Sequence, residues 1–178
     1  QGLDDIASFF KNIKSEQTQH RYGYRPISLL SFALDIELFG LNPNKAHLAN
    51  LFYYSVVCIL VFVFTRRLFP GIQWTTLILL SLIFLVHPLH SEVVSNIKSR
   101  DQILALIFGL LAMLAFLNGL ELRKWRHVFA SFFFYVLAFL SHESAIGLAL
   151  FGAVLPLFNS SSKKELIKSA GKGLGVFA

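Results

Sequence analysis

The sequence predicts an all-α fold, a polytopic bundle of membrane helices, and three observations carry that expectation. Of 178 residues, 55% are hydrophobic and only 15% charged, against roughly 45–50% and about 25% in soluble domains. Phenylalanine occurs 19 times, a residue suited to lipid-facing surface because it supplies bulk without needing a polar partner. The mean hydropathy is +0.62, and the apolar residues gather in long runs separated by short polar connections. The +6 formal charge is scattered along those connections rather than collected on one face, so membrane lipid is the expected partner and nucleic acid is not. The single cysteine, Cys58, lies inside an apolar run and provides no disulfide framework.

Residues 1–46 read as an outer loop, periplasmic or lumenal, carrying an interfacial helix over 26–39. Pro26 suits a first helical position and Gly40 the place just past a helix end. Ser28, Ser31 and Asp35 form a narrow polar stripe on this apolar rod, and about 14 residues are too few to span a bilayer. Residues 47–178 read as a transmembrane bundle of about five spanning helices. Asn42-Pro43 supplies an N-cap and a first-turn proline for the first span, about 47–65, which Arg66, Arg67 and the Pro70-Gly71 turn close. The second span, about 74–88, ends at Pro88. Ser99 with Gln102 matches a capping box for the third, about 100–120. The fourth and fifth, about 126–141 and 143–158, would measure about 48 Å as one helix against a hydrocarbon core of about 30 Å, so a reversal is expected near residue 142. The chain opens on QGLDD, without an initiator methionine or basic leader, and reads as an internal piece of a longer protein.

Orientation follows from the basic residues. Arg66 and Arg67, then Arg123, Lys124 and Arg126, then Lys163, Lys164, Lys168 and Lys172 fall in connections that share one side, which the positive-inside rule makes cytoplasmic. Three separated stretches return to the opposite face: Tyr24-Arg25 through Asp35 and His47; HPLHSEVVSNIKSRD, with His87, His90, Glu92, Lys98, Arg100 and Asp101; and Ser141-His142-Glu143. Ionisable groups near membrane depth are costly and concentrate where they line a cavity or do chemistry. Glu92 with His87 and His90 has the donor types for a divalent metal, magnesium or manganese, or for proton transfer, although Pro88 breaks the helical spacing and a hydrogen-bonded loop is the other reading. Arg25 and Arg100 could clamp a phosphate in two-point fashion; Arg25 could equally anchor a lipid headgroup. Asp101 and Glu143 are either catalytic carboxylates or first-turn acids favoured by a helix dipole, and Asp35 either joins them or marks the wet edge of the interfacial helix.

At these residues the chain resembles a known family. YRPISLLSFALDIELFGLNPNKAHLANLF, HPLHSEVVSNIKSRDQILALIFGLLAMLAFL and LSHESAIGLAL are similar, in that order, to the membrane part of the transmembrane-and-tetratricopeptide-repeat proteins, protein O-mannosyltransferase-like members of the C-type polytopic glycosyltransferases. The resemblance implies a partial C-type glycosyltransferase-like fold and, for the full-length parent, an enzyme. It implies transfer of a sugar from a polyprenyl-phosphate-linked donor to the hydroxyl of a protein or peptide Ser or Thr on the non-cytoplasmic face. By position it implies that Arg25, His87, His90, Glu92, Arg100 and Glu143 are the matching residues, Glu92 and Glu143 as catalytic carboxylates and Arg25 and Arg100 as substrate contacts. Asp101 as a further catalytic acid, and Tyr24 and His142 as further substrate contacts, are read from their place on the same outer face, although His142 stands where the family usually has lysine. A non-catalytic scaffold of the same fold, or a proton or metal transporter using the His/Glu cluster, are the competing expectations. Phenylalanine richness and short loops favour a bacterial inner membrane over the endoplasmic reticulum.

Overall fold

The computed structural model describes residues 25–158. Tyr24, the remainder of the outer loop before it, and the basic tail beyond residue 158 lie outside the described residues. Within them every regular element is helical: α1 (Pro26–Phe39), α2 (Pro43–Leu68), α3 (Trp74–Leu85), α4 (Pro88–Ser95), a 3-10 turn (Ile97–Ser99), α5 (Arg100–Leu122), α6 (Trp125–Ser141) and α7 (Ala145–Phe158).

The local signals set most of these limits. Gly40 ends α1 with φ 68°, a left-handed conformation that a β-carbon disfavours. Asn42 caps α2, its side-chain oxygen accepting from the amides of Asn44 (3.0 Å) and Lys45 (3.4 Å), and Arg66 and Arg67 sit in the last turn, where cations complement the helix dipole. Pro88 breaks the second apolar run into α3 and α4, bent by 52°. His87, just before the proline, is driven into an extended conformation. The carbonyls this break frees are met by side chains: His90 Nδ1 lies 2.7 Å from the Phe84 oxygen, and the Tyr54 hydroxyl donates to the Leu85 oxygen at 2.9 Å. The reversal expected near residue 142 occurs at 142–144 without glycine or proline, because His142 Nδ1 accepts from the Ser144 amide at 3.1 Å and closes the turn.

Two local expectations are corrected. The capping box does not form: Ser99 belongs to the 3-10 turn and caps nothing with its side chain. The amides there are met instead by Asn96, which accepts from Lys98, and by Asp101, whose Oδ1 accepts from Gln102 at 2.8 Å. The polar stripe of α1 is the second. Ser28 and Ser31 are its buried residues, whereas Leu34, Ile36, Leu38 and Phe39 are exposed. The small hydroxyls bond back to their own helix, Ser28 to the Arg25 oxygen at 3.0 Å and Ser31 to the Ser28 oxygen at 2.7 Å. That leaves a slim polar face turned inward against protein and an apolar face turned outward, an arrangement suited to lipid.

The core sits on α5. Ile103, Leu104, Ile107, Leu110, Met113 and Leu117 pack with Val57 and Phe64 of α2, and α6 folds back along α5 after Arg123, which takes a left-handed conformation (φ 50°) in the turn. The α5–α6 approach is close. A β-carbon on Gly119 would lie 3.2 Å from Val128 Cγ2, and the Ser131 hydroxyl donates across to the Ala112 oxygen at 2.9 Å. Helix α2 and the Ile97–Leu122 stretch, 26 residues each, are long and apolar enough to cross a membrane, and the bent α3–α4 pair makes a third crossing if it acts as one span. With 17 and 14 residues, α6 and α7 are shorter than a comfortable span. Replacing Gly119 with leucine is expected to cost about 1–3 kcal/mol by overpacking, read as a lower unfolding midpoint in detergent. Gly71→Ala, which meets nothing within 4 Å, should leave that midpoint in place.

Candidate active site at the start of helix α5

Arg100 opens α5 and has no exposed surface at all. Its Nε donates to Asn50 Oδ1 at 2.7 Å and Nη2 to the Ala46 oxygen at 3.0 Å, both on α2. Nη1 lies 2.6 Å from Asp35 Oδ2 on α1, a charge contact whose angle does not make an aligned hydrogen bond. The guanidinium also lies over the Phe32 ring, 4.2 Å from its centroid. Asn50, fully buried, passes the connection on by donating to the Asn96 oxygen at 3.3 Å. A desolvated cation is tolerated only where charge and hydrogen bonds answer it together, and here α1, α2 and the turn before α5 all contribute.

The next residue points into a second ion pair. Asp101, its side chain 5% exposed, accepts from Arg25 Nη1. Arg25 reaches it from the N-cap position of α1 and, through Nη2, also donates to Glu143 Oε1 at 2.8 Å, in the reversal between α6 and α7. The Arg25 Nε is buried and has no hydrogen-bond partner among the described residues. Glu143 is 65% exposed. Its own backbone amide and the Arg25 guanidinium hold its carboxyl below the usual carboxylate range, with a smaller contribution from His142, whose Nε2 lies 3.9 Å away.

Five of the residues singled out by sequence therefore meet at one end of the bundle: Arg25, Arg100, Asp101, His142 and Glu143. Three do not join them. Glu92 is exposed on α4, His87 Nδ1 accepts from the Leu89 amide at 3.3 Å, and His90 serves the Phe84 carbonyl. Although the two histidine rings lie 5.5 Å apart, among the described residues no three of His, Cys, Asp and Glu gather so as to hold a metal ion. Among the described residues, His87, His90 and Glu92 do not assemble the several oxygen ligands that magnesium or manganese takes. Both histidines are occupied by the helix break that Pro88 makes. Two participants are new in role. Asp35 is the counter-ion of Arg100 rather than a wet edge, and Asn50 is the partner that sequence reading missed. Its signal was spacing: Asn50, Val57 and Phe64 recur at seven-residue intervals as the buried stripe of α2.

The opposite end of the same helix pair carries the basic residues, where Arg67 pairs with Glu121 and donates to Asn118 Oδ1 at 3.0 Å and Arg66 lies over Trp74, 3.7 Å from the ring centroid. A helical membrane protein whose buried, charge-paired site lies at one end of its bundle is the class these features define. The chain is 32% identical over 168 residues to protein O-mannosyl-transferase TMTC1 of Mus musculus, covering 87% of this chain and 17% of that protein. It is 34% identical over 108 residues to TMTC3 of Homo sapiens, 61% of this chain and 11% of the other, and 29% identical over 155 residues to tmtc2 of Xenopus laevis, 84% and 18%. It thus spans less than a fifth of the length of these relatives. No family model matches the chain, and no solved structure matches it. Along most of its length the chain is related to the TMTC protein O-mannosyl-transferases, the family its sequence blocks resemble.

Arg100→Met strands Asp35 without its cation and is expected to cost about 3–5 kcal/mol of stability. The double variant Arg100→Met/Asp35→Leu should recover much of it in detergent unfolding, and a double no better than the single would contradict the pairing. Glu143 gives a pH dependence of defined sign. Because its folded pKa is depressed, its contribution is fully present above the ordinary glutamate value of about 4.3 and is lost as pH falls through the lowered value. Glu143→Gln should therefore flatten the acid limb of a stability–pH profile and leave its neutral region unchanged in slope.

Proposed function

We propose that this chain is part of a membrane glycosyltransferase that moves a sugar from a polyprenyl-phosphate-linked donor to a Ser or Thr hydroxyl of a protein. The observation that carries the reading is the similarity to protein O-mannosyl-transferases over a stretch that includes Arg25, Arg100, Asp101 and Glu143. The loop charges support placing the site on the non-cytoplasmic face, and the animal origin of several relatives supports the endoplasmic reticulum over a bacterial inner membrane. In this reading the acceptor oxygen attacks the anomeric carbon, the bond from that carbon to the phosphate oxygen breaks, and a carboxylate takes the hydroxyl proton. Glu143 suits the base because it is exposed at the bundle end, whereas Asp101 is enclosed with its oxygens engaged. Arg25 suits the leaving phosphate, as its Nη2 faces the reversal at Glu143. Arg100 is committed to Asp35 and Asn50 and acts by holding the site together.

A non-catalytic scaffold is the second reading, favoured by the fact that both arginines are already paired with carboxylates. Transport is less well supported, since the buried side chains of α5 beyond its first turn are apolar and offer no polar path.

Transfer from radiolabelled polyprenyl-phosphate sugars to a Ser/Thr peptide by the full-length parent protein separates these readings. Glu143→Gln should lower the rate about 10²–10⁴-fold and Glu92→Gln far less, with chelator included as a parallel arm. Absence of transfer by folded protein from every donor offered would favour the scaffold.

A further inference from the structure

The partners of Arg25 are unequal, and their inequality has a consequence for how the site receives its ligand. A guanidinium presents its N–H groups along separate edges of a plane. Nη1 holds Asp101, which is enclosed and fixed through its other oxygen by the Gln102 amide. Nη2 holds Glu143 by a single 2.8 Å bond. Nε, which shares an edge with Nη2, is buried and has no partner among the described residues. Glu143 thus occupies half of a two-point edge. It belongs to a three-residue reversal between helices, so it can swing away without unwinding either of them.

We propose that Glu143 is a displaceable guard: a phosphoryl oxyanion takes the Nε–Nη2 edge of Arg25 and evicts the Glu143 carboxylate, while Asp101 stays on Nη1. The oxygens of a phosphate span such an edge and satisfy the donor that Glu143 leaves orphaned. The difference in exposure, 65% for Glu143 against 5% for Asp101, decides which carboxylate leaves. Arg100 does not compete, being turned to Asp35 and sealed from solvent. Among the described residues, the charged and titratable groups facing Glu143 are Arg25 and His142, with Asp101 across the guanidinium. Release from Arg25 returns the carboxylate toward ordinary basicity, so occupation of the anion site and readiness of the base become one event. The identity of the oxyanion as a prenyl phosphate rests on the function proposed above; an anionic lipid headgroup offers the same chemistry.

The test follows the side-chain carboxyl carbon of Glu143 by NMR, in the full chain labelled with ¹³C-glutamate in phosphatidylcholine nanodiscs and assigned by loss of the signal in Glu143→Gln. Three probes are added separately: inorganic phosphate, farnesyl phosphate, and phosphatidic acid incorporated in the disc. Binding is expected to move the Glu143 titration upward, because the contribution of Arg25 to its lowering is lost. A response to farnesyl phosphate or inorganic phosphate assigns the site to a donor-like ligand, and a response to phosphatidic acid alone assigns it to a bilayer lipid; both uphold the guard. Phosphate affinity should rise about two- to fivefold in Glu143→Gln, the scale of one exposed ion pair removed, stay unchanged in Glu37→Gln, and fall in Arg25→Lys. A Glu143 signal unmoved by all three probes, or no tightening in Glu143→Gln, overturns the proposal. Transfer activity with an unmoved Glu143 would overturn the guard and leave the glycosyltransferase reading intact.

Discussion

The burial of Arg100 is the constraint on which the rest of this arrangement depends. A guanidinium with no exposed surface at the end of a membrane helix must find both a counter-charge and acceptors, or the fold loses several kcal/mol. Asp35 supplies the charge, and Asn50 with the Ala46 carbonyl supplies the acceptors. Satisfying that one side chain draws α1 and α2 onto the first turn of α5. Once α1 is seated, Arg25 at its start falls between Asp101 and Glu143, so the more accessible pair inherits its position from the sealed one.

The two arginines share a neighbourhood but differ in what they can do. Arg100 is enclosed on every side by α1, α2 and the Phe32 ring, and any ligand for it would have to break a buried pair. Arg25 has one fixed partner and one exposed partner. Residue type alone assigned both the same phosphate-binding role, and burial separates them into a structural pin and a candidate ligand contact. The same separation applies to the acids, with Asp101 enclosed, Asp35 partly buried and Glu143 at the surface.

Much of this fold was legible in the sequence because its helix limits are written locally. Pro26, Gly40, Asn42-Pro43 and Pro88 each act through their own backbone geometry, and the reversal near residue 142 followed from length against membrane thickness. What failed were inferences about direction. The serine stripe of α1 was visible as a stripe, but periodicity does not say whether a polar face meets water or protein, and here Ser28 and Ser31 turn to protein. His87, His90 and Glu92 looked like ligands by type, yet Pro88 leaves carbonyls and amides that the two histidines serve within a few residues. Asn50 escaped notice because a single amide in an apolar run has no local partner; its partner is fifty positions away.

Hydrogen exchange in a lipid nanodisc, read by mass spectrometry on native protein and Arg100→Met, tests most directly whether α1 is held by buried charge rather than by apolar packing. Loss of protection over 26–39, with the α5–α6 hairpin retaining its own, is the expected result. Equal protection of α1 in both proteins would contradict the central role assigned to Arg100.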